Sequence, residues 1–187
     1  MSQQILDIAE ELVQVRGFNG FSYADVASRL HVTKASLHYH FGTKEQLGTA
    51  LIARYSQRFF GELDRIGGSG LESPAKLAAY AQLYADVLAD NRLCLCGMLA
   101  AEYATLPEVM RAEVLAFFDT NEAWLEAVLV EGQKAAAVKL TGSAKEAARA
   151  ILGGLEGAML VSRPYGGLDR FRAAADSIVA GILHPAE

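Results

Sequence analysis

Apolar residues recur at three- and four-residue spacings along this chain, the period of helices that bury one face. Within the first fifty residues the pattern is tightly punctuated. Val26, Ala27 and Leu30 share one face of a short helix; Ser22 precedes it as N-cap, and Asp25 sits three residues on, where a carboxylate favours the first-turn amides. His31 and Val32 form a turn, and Thr33 caps a second short helix whose Leu37 and Phe41, four residues apart, point inward. Lys34, Ala35, Ser36, His38, Tyr39 and His40 are left facing outward or sideways. Gly42 stops that helix, and Thr43-Lys44-Glu45-Gln46 is a capping box that opens the next.

Longer helices follow. Leu47, Leu51, Ile52 and Tyr55 continue a connecting helix that should end before Gly67-Gly68-Ser69-Gly70. Ser73-Pro74 opens a helix to about Asn91, since proline suits the first helical position, and an apolar helix is expected from Leu93 to Tyr103. Pro107 opens a long one to about Lys139, Ser143 to Glu146 is a second capping box whose helix should end near Pro164, and the last runs from about Leu168 to Leu183. No strand-like alternation, repeat or low-complexity tract interrupts this. The expected fold is all-α with about nine helices: an N-terminal three-helix helix-turn-helix domain over residues 1–47 and a larger helical domain for ligand binding and dimerisation over 48–187.

A short helix, a tight turn and a second short helix within Asp25 to Leu47 is the layout in which the second helix enters the major groove and the first crosses the backbone. Tyr39 and Lys44 are candidates for phosphate contact, helped by Thr33 and the amide of Lys44; Lys34, Ala35 and Ser36 are candidates for base edges, with His38 and His40 beside them. A helix start next to DNA is a ready phosphate site. Charge does not help this reading: the chain carries −5 overall, and residues 1–47 set Arg16, Arg29, Lys34 and Lys44 against Asp7, Glu10, Glu11, Asp25 and Glu45. Placement decides, because Lys34, Lys44, His31, His38 and His40 all lie on the reading side while Asp7, Glu10 and Glu11 lie on the first helix. Few charge contacts per head are expected, so binding should need two heads and many amide and hydroxyl contacts.

Ser36-Leu37-His38-Tyr39-His40-Phe41, followed by Lys44 to Leu47 and preceded by Gly17 after the first helix, resembles the DNA-binding segment of the TetR/AcrR family of one-component transcriptional regulators. The resemblance covers Gln3 to Leu47, and the remaining chain has the family's length and helical character. It implies a homodimer on a double-stranded, palindromic DNA operator, a small-molecule effector, and repression relieved by that effector. In one departure, His38 stands where the family usually has tyrosine, with Tyr39 following, so either ring is a candidate for the usual phosphate contact.

Between Ser143 and Ser162, Gly153, Gly154, Gly157 and Ala158 interleave with Ile151, Leu152, Leu155, Met159 and Leu160. Glycine inside a helix costs roughly 1 kcal/mol against alanine, so three in five residues need a compensating close approach. The candidates for a dimer seam are Gly153, Gly154, Gly157 and Met159, a place that the resemblance also gives to the last two helices; close packing within one subunit is the alternative.

For an effector, Tyr80, Tyr84, Cys94, Cys96, Glu102 and Trp124 are candidate pocket residues of a largely apolar second domain, which would suit a small hydrophobic ligand with one or two polar groups. Each aromatic residue also fits plain core, and Glu102 a salt-bridged helix end. Cys94 and Cys96 lie two apart, about 200° around a helix, so they cannot bridge or share a metal, and His38 and His40 fail for the same reason. One thiol facing a pocket would allow a different regulator, a sensor of oxidants or electrophiles through Cys94 or Cys96. No metal site and no cofactor are expected. An enzyme is disfavoured because residues 45–183 contain no histidine and no phosphate-cradling glycine motif or Ser-His-Asp set is present. With no run of 18 apolar residues and an acidic start, the expectation is a cytoplasmic protein without a membrane partner.

Overall fold

The computed structural model describes residues 1–182, and every regular element among them is helical. In chain order these are α1 (Ser2–Arg16), α2 (Tyr23–Leu30), α3 (Lys34–His40), α4 (Lys44–Gly67), α5 (Ser73–Ala89), α6 (Leu95–Ala101), α7 (Glu108–Lys134), α8 (Ala144–Ser162) and α9 (Leu168–Ile182). Short 3₁₀ turns follow α6 and α8. The chain condenses into two units, one of Met1–Arg58 with Arg92–Phe117, the other of Phe59–Asn91 with the chain from Phe118 onward. The division falls inside α4 and α7, away from the boundary expected at residue 47.

Element ends follow local chemistry. Ser22 is the expected N-cap of α2 and forms a capping box with Asp25, in which hydrogen bonds from the Ser22 hydroxyl and amide hold the Asp25 carboxyl below the usual carboxylate range. His31 ends α2 in the left-handed conformation, φ +56°. Thr33 Oγ1 accepts the Ser36 amide at 3.3 Å as the cap of α3. Thr43 and Gln46 exchange the two bonds of a box at the start of α4. Three expectations shift. Helix α6 starts at Leu95 because the Cys94 sulfur caps it, accepting the Gly97 amide, and it ends before Glu102. Helix α7 stops at Lys134, just before Ala136 takes a positive φ. Phe41 is the extended C-cap of α3 and only half-buried. Leu183, the expected end of the last helix, lies outside the described residues.

In the first unit Ile5, Ala9, Leu12, Val26, Leu37, Leu47 and Ile52 are buried together with Leu95, Leu99 and Met110. Arg54 of α4 bonds Asp7 and Glu10 of α1, and Arg58 also reaches Glu10, whose side chain is only 8% exposed. A carboxylate so buried is tolerable because two guanidiniums compensate it. The second unit is built from α5, α8 and α9 with the ends of α4 and α7. Leu77, Leu125, Leu129, Ile151, Leu155 and Phe171 fill its interior.

Candidate nucleic-acid interface

Helix α3 buries Leu37 completely and presents the rest of its surface outward. Thr33, Lys34, Ala35 and His38 are exposed, Tyr39 is 87% exposed, and Ser36 and His40 are half-buried. A tyrosine left in solvent to that degree gains nothing for the fold and is free to meet a partner. The turn into α4 is pinned from α2: the Tyr23 hydroxyl lies 2.8 Å from the Phe41 carbonyl and 2.7 Å from that of Thr43, and its ring packs on His38 with centroids 4.7 Å apart. His38 Nδ1 bonds the Gly42 carbonyl at 3.1 Å, and His40 Nδ1 pairs with Ser2 Oγ at 3.0 Å.

The cations of this surface are mostly committed elsewhere. Arg29 makes a two-pronged pair with Glu11 of α1, which holds the Glu11 carboxyl below its usual range, and Arg16 approaches Asp25. Lys44, expected to reach a phosphate, turns inward. Its ammonium donates to the carbonyls of Phe18 at 2.6 Å and Phe21 at 2.5 Å and sits over both rings. Burial pushes this lysine below its usual range, with the charges of Glu102 and Asp25 opposing. Its backbone amide, at the start of α4, is the part still suited to a phosphate. Lys34 is thus the cation of α3 without an ion-pair partner among the described residues.

The turn between α1 and α2 that Lys44 grips is gripped on its other edge by Glu102. That carboxylate accepts the Phe18 amide at 2.5 Å and the Asn19 amide at 3.2 Å, while the Asn19 side chain donates to Thr105 Oγ1 at 2.7 Å. Gly17 is required here, since its φ is +82° and a β-carbon would lie 2.7 Å from Glu102 Oε1. Glu102, a candidate effector contact by sequence, is therefore engaged by backbone, a role the sequence does not announce because its partners lie more than 80 residues away. Glu102→Ala should destabilise the protein by about 1–3 kcal/mol, because the Phe18 amide loses its acceptor where water reaches it poorly. Hydrogen exchange should show faster exchange at Phe18 and Asn19; unchanged exchange there would remove Glu102 from this role.

The remaining effector candidates separate. Tyr80, Tyr84 and Trp124 meet in the second unit: the Tyr80 hydroxyl lies 3.0 Å from that of Tyr84 and donates to Asn121 Oδ1 at 2.8 Å, and Trp124 stacks on Tyr80 while donating to the Leu63 carbonyl. Asn121, fully buried, was missed by sequence reading because an asparagine beside Asp119, Thr120 and Glu122 reads as part of a polar face. Cys94 and Cys96 belong to the first unit, buried at 1% and 0% exposure, with the Tyr55 hydroxyl 3.5 Å from the Cys94 sulfur. A groove of about 460 Å³ lies between α5 and α9, floored by Ala78, Ala81, Ala85 and Phe171. No group of three His, Cys, Asp or Glu residues suited to a metal occurs among the described residues, and no helix there is long and apolar enough to cross a membrane.

The glycines of α8 also divide. A β-carbon at Gly154 would stand 3.1 Å from Ile178 of α9, so this glycine serves packing inside the chain, and Met159 is 1% exposed and equally internal. At Gly153 and Gly157 a β-carbon would meet nothing within 4 Å, and Leu160 and Val161 beside them are 58% and 53% exposed. Of the four seam candidates, Gly153 and Gly157 stay on an open face; Gly154 and Met159 do not, because neighbours within the chain already cover them.

Residues 5–51 match the family of bacterial regulatory proteins named for tetR, and residues 73–180 match a tetracyclin repressor-like C-terminal domain. The HTH-type transcriptional repressor DhaR of a Mycobacterium species is 26% identical over 177 residues, spanning 90% of this chain and 87% of that one. The repressor NemR of Escherichia coli is 25% identical over 185 residues, spanning 95% and 93%. Among solved structures, a TetR-family transcriptional regulator from Agrobacterium tumefaciens superposes with a TM-score of 0.92 at 31% identity, covering 98% of this chain and 97% of that one. Taken with a pinned, outward-facing α3, these likenesses establish that the chain belongs to the TetR family and is a helix-turn-helix, DNA-binding transcriptional regulator.

Proposed function

We propose that this regulator is a homodimeric repressor that leaves a palindromic operator when a small hydrophobic molecule enters its second unit. The observation that carries the DNA half is the surface of α3, where Thr33, Lys34, Ala35, His38 and Tyr39 are exposed on a helix fixed by Tyr23 and Leu37. Lys34, Ala35 and Ser36, at its N-terminal end, lie nearest base edges, while Tyr39, His40 and the Lys44 amide flank the phosphates. Dimerisation uses the open face of α8 at Gly153, Gly157, Leu160 and Val161, an apolar patch that a symmetric copy covers. DhaR and NemR are both described as repressors, which supports that sign of regulation.

The effector would contact the buried Tyr80, Tyr84 and Asn121 and the half-buried Trp124, a neutral cluster that offers hydroxyl and amide hydrogen bonds and no charge. It should be uncharged, largely apolar, with one hydrogen-bonding group. Helix α4 runs unbroken from the reading head to Gly67, so an effector that binds the DNA-released state better can change the spacing of the two heads by tilting it. Trp124 reports the event. Screening neutral aromatic and aliphatic compounds by its fluorescence should yield a ligand that also dissociates the protein from DNA; a ligand that shifts fluorescence without changing DNA affinity would contradict the coupling.

A second reading, a thiol sensor through Cys94 or Cys96, has in its favour the two donors that meet the Cys94 sulfur, the Tyr55 hydroxyl and the Gly97 amide. Burial of both thiols opposes it, because an oxidant must reach the sulfur. Operator affinity that collapses on mild peroxide treatment, and survives it in Cys94→Ser, would decide for this reading.

A further inference from the structure

We propose that His38 contacts a DNA phosphate only as an imidazolium, so that DNA binding takes up a proton at each reading head. The hydrogen bond at Nδ1 fixes the tautomer. The Gly42 carbonyl, 3.1 Å away, can only accept, so Nδ1 carries the hydrogen and a neutral His38 ring has its lone pair on Nε2. The ring is held in that orientation by Tyr23, packed on it at 4.7 Å and itself anchored on the carbonyls of Phe41 and Thr43. Turning Nε2 away would forfeit both the Gly42 bond and the ring contact.

His38 is exposed in the last turn of α3, three residues before Phe41 and close in sequence to the start of α4. The N-terminal residues of a reading helix face base edges, so its later turns fall to the DNA backbone. Phosphate oxygens only accept. A neutral His38 would meet them lone pair to lone pair, whereas a protonated one donates a charge-assisted hydrogen bond. The proton comes from the buffer, and nothing else need move.

The groups around the ring leave that choice to DNA. The Gly42 carbonyl meets Nδ1, and Lys34 stands one turn earlier on the same face. Asp25 of α2 is engaged by Ser22 and Arg16, Lys44 of α4 points its ammonium at Phe18 and Phe21, Glu45 of α4 is exposed, and the Tyr23 hydroxyl is occupied. An arriving phosphate is then the strongest new charge. Because the bound state holds more protons than the free one, affinity is highest in acid and falls as pH rises, by at most about tenfold per pH unit and head.

Phosphate contacts ignore sequence, so the test needs no operator. The probe is a random-sequence DNA duplex at low salt, titrated calorimetrically into wild type, His38→Gln and His38→Tyr in two buffers of different ionisation enthalpy. Gln and Tyr both donate without an added proton. Wild type should take up about one proton per head more than either variant. Both variants should bind with a flatter pH dependence and overtake wild type at the alkaline end. Equal uptake in all three would assign the proton to another group, His31 or His40, and overturn the proposal. No DNA binding by any of the three would overturn it together with the placing of α3 against DNA, on which it rests.

Discussion

Lys44→Ala is expected to lower stability by about 2–4 kcal/mol while leaving the salt dependence of DNA binding nearly unchanged, since the ammonium's two bonds are to protein carbonyls and not to phosphate. The substitution strands the Phe18 and Phe21 carbonyls, removes a cation from over two rings, and frees one edge of the turn whose other edge Glu102 holds. That turn leads directly into α2, so its loosening reaches the helix-turn-helix. Thermal denaturation should therefore drop by several degrees, on the order of 5–15 °C for a chain of this size. A stable variant whose salt slope falls by about one counterion would instead restore Lys44 as a phosphate contact through its side chain.

The second large effect is at the open face of α8. Gly157→Leu should leave the isolated subunit folded, because a side chain there meets nothing within 4 Å and leucine is the better helix former by roughly 1 kcal/mol. If the partner subunit's α8 or α9 approaches this glycine, the added side chain holds the two apart. Sedimentation should then show monomer where wild type is dimer, and operator affinity should fall on the order of 100-fold, because two heads no longer bind as one molecule. Gly154→Ala is the contrast: its β-carbon crowds Ile178 of the same chain, so stability should change and assembly should not. A dimer of undiminished affinity in Gly157→Leu would move the interface elsewhere.

How much of this was legible in sequence depended on the range of the interactions. The caps at Ser22, Thr33, Thr43 and Ser143 are three-residue patterns, and each occurs where the sequence placed it. The helical plan and the outward set on α3 follow from the same short-range periodicity. Glu102 and Lys44 were misjudged because their partners are backbone groups 23 or more residues away, and no local pattern marks a carboxylate or ammonium as a clamp for a distant turn. Gly154 and Gly157 look alike in sequence, yet only α9 distinguishes them. Cys94 could not be read as a helix cap, since thiols seldom serve as one and its position suggested helix interior.

In the proposed function two copies of α3, held by one dimer, read a two-fold symmetric DNA site. The most direct test is enrichment of random duplexes by the purified protein, followed by sequencing and by counting chains per bound duplex. The prediction is an enriched palindrome with half-sites a helical turn or more apart, bound by an even number of chains, and lost in a variant of Lys34, Ala35 and Ser36 that keeps its fold. Enrichment of an asymmetric site bound by one chain, or no enrichment at all, would contradict it.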